Sequence, residues 1–230
     1  MIVLFNFKEI IELWRSDNLL KQALGDSHTM LEHAQAMLHE SVRSLRNSDG
    51  AEAKLNVYDQ DIQINIYQRK VRKKVLKHLA ITGGANIVPG LILTSIVIDI
   101  ERLGDYTKNI MDLAVAHPKI LQCSSYEDSI QEIETATMEL FGLVIPTFKE
   151  TNKEEAQKLI EGYWWILKKC DEILDRLIQA TDTDTTCLPG NAVTTALYTR
   201  YLKRITAHLI NICTSVVNPF EAISFYREND

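Results

Sequence analysis

The chain has 230 residues, 46% of them hydrophobic and 24% charged, with five prolines and nine glycines. That length allows one large domain or two modest ones with apolar cores, and the composition excludes a disordered chain. The formal charge of -6 argues against nonspecific binding to DNA or RNA, which rests on phosphate neutralisation by a basic surface.

The start, MIVLFNFKEIIELWR, lacks the basic region, long apolar stretch and small-residue cleavage site of a signal peptide. An initial amphipathic turn or helix is expected over Asn6 to Trp14. Leu19 to Leu45 then carries an apolar stripe through Leu20, Leu24, Met30, Leu31, Ala34, Met37, Leu38, Val42 and Leu45, with the spacings of three and four that belong to a helix. Asn47-Ser48-Asp49-Gly50 is a turn signal. A second helix is expected from about Ala51 to Ile81, with Leu55, Ile62, Ile66, Leu76 and Leu79 facing inward, and with Gly83 and Gly84 ending it. A third begins near Pro89 and reaches Ala116, ahead of Pro118. Its most apolar part, Ile87 to Ile98, is too short to span a bilayer.

The second half repeats the plan. Helices are expected over Glu127 to Phe148, Lys153 to Ala180 and Asn191 to Val217, with a polar loop, TDTDTTCLPG, over Thr181 to Gly190. ERLGDYTKNI at Glu101 to Ile110 aligns without a gap on KRITAHLINI at Lys203 to Ile212. Arg102/Arg204, Asn109/Asn211 and Ile110/Ile212 are identical and Leu103/Ile205 is conservative. The fold class read from this pattern is all-α, two repeated three-helix bundles. The units cover residues 19–117 and 126–217, between an N-terminal segment 1–18 and a C-terminal tail 218–230. One amphipathic helix cannot hide its apolar stripe alone, whereas three packed together can.

The chemistry-bearing residues cluster on the second and third helices. Glu101 and Asp105 are four apart, so their carboxylates share a helix face, and Asn109 extends it by a turn. Gly104 beside them has poor helix propensity, which suits close approach by another helix or by a ligand shell. Asp59, with Gln63 one turn on and Asp61 pointing elsewhere, would face that pair if the two helices are antiparallel neighbours. Such oxygens suit Mg²⁺, Mn²⁺ or iron; a solvated acidic face with local salt bridges is the plainer reading. Arg69, Lys70, Arg72, Lys73, Lys74 and Lys77 form a basic run that would face nucleic acid, anionic lipid, an acidic protein or simply solvent. Cys123, Cys170, Cys187 and Cys213 lack zinc spacing and read as reduced cytoplasmic thiols. The sequence contains no Walker loop, and nothing in it assigns a catalytic triad. Of Trp164 and Trp165, one is expected to pack inward and the other to support a partner surface.

DQDI, ERLGDYTKNI and the repeated three-helix plan resemble the PhoU family of phosphate-uptake regulators, from about Leu19 to Val217. The resemblance implies two three-helix bundles and a nonenzymatic cytoplasmic protein, at the inner face of the membrane through a partner. That partner would be a phosphate transporter or its associated sensor. Homo-oligomers, dimers above all, are also implied. It further implies a metal face of Asp59, Glu101, Asp105 and Asn109, holding iron, Mn²⁺ or Mg²⁺. The second unit departs from this pattern at Lys203, Thr206 and Ala207, which leaves a site on the first unit only, or metal binding lost. Two other function classes stay open: a nucleic-acid-binding regulator acting through residues 69–77, and metal-dependent phosphate chemistry at Glu101 and Asp105.

Overall fold

The computed structural model describes residues 19–47, 55–83, 86–117, 119–179 and 189–225. The initial helix expected over Asn6 to Trp14, the Ser48–Gly50 part of the first turn, Gly84, Pro118, Cys187 and the loop through residue 188 lie outside them. Among the described residues the helices are α1 (Leu19–Arg46), α2 (Val57–Thr82), α3 (Ile87–Ala116), α4 (Glu127–Glu150), α5 (Lys153–Tyr163), α6 (Trp165–Gln179) and α7 (Pro189–Val217). Single 3₁₀ turns at Ser124–Tyr126 and Phe220–Ala222 flank α4 and follow α7.

In the first unit α1 packs on both α2 and α3, which pack on each other; in the second, α7 packs on α4, α5 and α6. The fifth expected helix is two segments. The chain turns at Trp164, where the Leu167 N–H bonds the Trp164 carbonyl at 3.2 Å. Trp164 packs against the core, while Trp165 stays partly exposed beneath Lys169.

All nine residues of the α1 stripe are buried. Each such aliphatic side chain contributes roughly 1.5–3 kcal/mol when removed from water. The stripe expected on α2 needs correction. Ile62 is 54% exposed and Leu76 71% exposed, and Leu55 precedes the helix. The buried residues are Val57, Asp61, Ile64, Gln68, Val71, Val75 and His78, a strict alternation of three and four. The helix starts at Val57 rather than Ala51 because Asn56 caps it, its side-chain oxygen accepting from the Tyr58 and Asp59 N–H groups. Gly83 ends it in the left-handed region, its N–H on the Leu79 carbonyl. Near the start of α3 the two helices pack closely enough that a Cβ on Gly90 would meet Val75 and Leu79 side chains at 3.0 and 3.2 Å.

The two units meet along α3 and α7. Asp99 accepts from His208 Nδ1 at 2.7 Å and from Asn211 Nδ2 at 2.9 Å. Tyr106 stacks on His208 and packs near Tyr201, and its hydroxyl accepts from Arg204 Nε at 3.1 Å. The register that aligns Glu101 with Lys203 also aligns Asp99 with Tyr201 and Tyr106 with His208. The Asp99–His208 and Tyr106–Tyr201 contacts are therefore equivalent positions exchanged between the repeats. The duplication is built into the seam.

A second connection joins the end of α1 to α4. Arg46 bonds Glu127, the Leu121 carbonyl and, at 3.1 Å, Glu134, which also accepts from the buried Tyr198 hydroxyl at 2.9 Å. Cys123, Cys170 and Cys213 are buried free thiols, and burial pushes them up to about 11, 12 and 12.

His28, on α1, packs edge-on against Phe148 with 5.2 Å between ring centroids. Burial, reinforced by Lys149, lowers its pKa to about 4. A depressed histidine stabilises the fold above its unfolded value of 6.5 and loses that contribution as pH falls toward 4. Between pH 7.5 and pH 5 the native protein is expected to lose roughly 2 kcal/mol that a His28→Phe variant retains. Urea unfolding at the two pH values checks this, and parallel losses in both proteins would refute it.

Candidate functional site

The outer face of the α2–α3 hairpin holds most of the residues singled out by sequence. Antiparallel pairing sets their register: Tyr58 donates to Asp112 at 2.7 Å, and Lys108 Nζ donates to Asp61 Oδ2 at 2.8 Å. Gly104 lies between these helices, and a Cβ there would come within 2.9 Å of Ile64 Cδ1 and 3.7 Å of Asp61 Oδ1. The close approach that its poor helix propensity suggested is that of α2 itself.

This register brings Glu101, Asp105 and Asp61 to one region and leaves Asp59 out of it. Asp59 is exposed on the first turn of α2, where Asn56 Nδ2 donates to it at 2.7 Å. Its level on α3 falls between Lys108 and Asp112, roughly two to three helical turns from Glu101. Asp61 is the carboxylate that α2 contributes, because it belongs to the inward stripe. Asn109 lies half-buried one turn beyond Asp105.

Each of the three acids has a basic neighbour. Lys108 Nζ reaches Asp61 at 2.8 Å and Asp105 Oδ1 at 3.4 Å, while Arg102 holds Asp105 Oδ2 at 2.8 Å and lies 3.6 Å from Glu101. Burial disfavours the charge on Lys108, but the hydrogen bond and attraction of Asp61, with Asp105 behind, outweigh it and raise its pKa. Glu101 is pushed upward by burial, then by the neighbouring charges of Asp105 and Asp61, against the opposing pull of Arg102 and Arg72. Asp61 Oδ1 is buried without a hydrogen-bond partner.

Both oxygens of Asp105 and one of Asp61 are thus committed to side-chain cations. Among the described residues no group of three or more His, Cys, Asp or Glu side chains is disposed to hold a metal ion. The position between Asp61 and Asp105 is held by the Lys108 ammonium group. In the second unit Lys203, aligned with Glu101, reaches across from α7 to both oxygens of Asp171 on α6, at 2.5 and 2.6 Å.

The other end of the same hairpin differs in character. Leu76 on α2 and Ile87, Leu91 and Ile98 on α3 are exposed aliphatics. Arg69, Lys70, Arg72, Lys73 and Lys77 stand exposed on α2, whereas Lys74 is held by Asp26 at 2.7 Å. The basic run is thus a mixed apolar and cationic surface.

A cleft of about 470 Å³ opens at the junction of the units, lined by Arg46, Ile120, Gln122, Glu127, Gln131 and Glu134 among others. Among the described residues lining it Arg46 is the one cation, and two carboxylates and a carbonyl already engage it. That wall offers an anion no unspent positive charge.

No helix among the described residues is long and apolar enough to cross a membrane. Residues 28–114 match the family model of the PhoU domain. The chain resembles the crystal structure of PhoU from Pseudomonas aeruginosa with a TM-score of 0.76 at 17% identity, over 86% of this chain and 95% of that one. It also resembles the phosphate transport system regulatory protein PhoU from Streptococcus pneumoniae, with a TM-score of 0.72 at 14% identity, over 86% of this chain and 92% of that one. No curated protein sequence matches the chain.

Proposed function

We infer, from a first unit that is a PhoU domain and a chain that has the PhoU fold, that this protein is a nonenzymatic regulator of phosphate transport or phosphate signalling. It acts by contact with other proteins. The observation that carries the contact reading is the α2–α3 surface, where Leu76, Ile87, Leu91 and Ile98 stay in water on helices that also carry five exposed cations. Aliphatic side chains left exposed together have a free-energy gain in reserve for a partner, and the cations select one with an acidic rim. The expected partner is a phosphate transporter or its associated sensor at the membrane.

Aliphatics among the cations suit a protein helix better than a nucleic acid, where aromatic platforms and a broad basic surface would be needed. The test is recovery of partners from native membranes with tagged protein, at high and low phosphate, alongside phosphate uptake in a deletion strain. Recovery of a phosphate transporter or sensor supports the reading. Recovery of neither, with unchanged uptake, would overturn it.

A further inference from the structure

We propose that a lysine ammonium group takes the place of a metal ion on the acidic α2–α3 face of the first unit, so that the protein holds this face together without metal. In the first unit the ammonium is that of Lys108, on α3, which bridges Asp105 on its own helix and Asp61 on α2. In the second unit, where the aligned acids are absent, Lys203 on α7 pairs with the single carboxylate of Asp171 on α6.

The two lysines do not occupy equivalent positions. Lys108 aligns with Ile210, and Lys203 aligns with Glu101, one of the acids of the first unit. Each half therefore joins its third helix to the helix before it through a lysine at a different position, and only in the first unit does that lysine lie between two carboxylates. Carboxylates crowded on a helix face repel, and some cation must offset that repulsion. A tethered ammonium does so at no cost in bound ion, and it also obstructs one. A metal between Asp61 and Asp105 would have to expel Lys108 and set two like charges side by side.

The burial pattern supports an ammonium in this place. Asp61 is buried in the inward stripe of α2, where an unpaired carboxylate would be costly. Lys108, itself partly buried, reaches it at 2.8 Å, and Gly104, one turn earlier on α3, lets the two helices approach. Asp61 Oδ1, left without a partner, marks the ligand position that a metal would claim once the lysine is gone.

The experiment compares the full chain with Lys108→Met and Lys108→Gln by calorimetric titration with Mn²⁺ and Fe³⁺. Elemental analysis after dialysis and the shift of the melting temperature on adding Mn²⁺ are read in parallel. Lys108→Gln keeps a hydrogen-bond donor for Asp61, so it covers the case in which Lys108→Met fails to fold. The native chain is expected to retain no stoichiometric metal and to melt at the same temperature with and without Mn²⁺. At least one variant is expected to bind Mn²⁺ tenfold or more tightly than the native chain, with a raised melting temperature. Stoichiometric metal in the native protein that is lost on Glu101→Ala would overturn the proposal, as would two folded variants that gain nothing. None of these readouts depends on the regulatory partner.

Discussion

Replacing Arg46 with methionine is expected to destabilise the protein by about 3–5 kcal/mol at pH 8, the cost typical of removing one member of a buried ion pair. The Arg46 side chain is 8% exposed and that of Glu134 15%, so neither charge is adequately hydrated without the other. Methionine fills much of the volume but leaves Glu134 facing only the Tyr198 hydroxyl. Burial already drives the Glu134 pKa upward, and the charge of Arg46 holds that rise in check. Without the guanidinium it rises further.

A carboxylate raised in the folded state keeps its contribution below its unfolded pKa and loses it as pH rises through the folded value. Glu127 points the same way. Burial pushes it up, but hydrogen bonds from Arg46 and the Cys123 N–H outweigh that and hold it low, a contribution present only above its unfolded value. Both groups predict a deficit that is full at pH 8 and shrinks as pH falls into the carboxylate range. Urea unfolding of the native protein and Arg46→Met across that interval is the measurement. A loss under about 1 kcal/mol that does not vary with pH would contradict a buried pair worth the value cited above.

Arg46 also shows where sequence reasoning stops. Glu127 and Glu134 are 81 and 88 residues away from it, and Tyr198 belongs to the last helix. Nothing in the local pattern around any of them announces the cluster. Asp99 is a similar case: its partners, His208 and Asn211, lie across the seam. The internal repeat aligns Tyr106 with His208, but an alignment of equivalent positions does not by itself announce a contact between the halves.

The helices themselves were legible in proportion to how apolar their inward stripes are. On α1 every expected core residue is buried. On α2 three of the seven buried positions are Asp61, Gln68 and His78, so choosing the most hydrophobic residues selected Ile62 and Leu76 from the wrong face. The spacing alone, from Val57 through Ile64 and Val71 to His78, would have found the right one. The same error displaced the candidate site. With Ile62 turned outward, Asp61 turns inward to Lys108, and Asp59 is left on the exposed first turn. The Glu101–Asp105 pair needed only helical spacing to be recognised. Its countercharges needed the register between α2 and α3, which lies in the packing and not in either segment.

The misread face has a positive consequence, since Leu76 is exposed for some reason other than the core. Changing Leu76 and Leu91 together to glutamate is expected to leave the fold intact, because exposed positions away from special backbone tolerate substitution within about 0.5 kcal/mol each. The same double change should weaken binding to the regulatory partner by about a hundredfold, the effect of removing apolar anchors and placing charge in a contact that must shed water. Reversing Arg72 and Lys73 to glutamate should act differently, slowing association most at low salt, because exposed charges at the rim steer encounter. Val115→Glu is the control: it is equally exposed, near the far end of α3, and lies outside the surface in question. Partner recovery from membranes, with circular dichroism to confirm folding, separates these outcomes. If Leu76→Glu/Leu91→Glu recovers the same transporter or sensor in full while Val115→Glu does not, the contact lies at the other end of the hairpin. If the double variant instead changes sedimentation from dimer to monomer with partner recovery unaltered, the surface joins two copies of the chain.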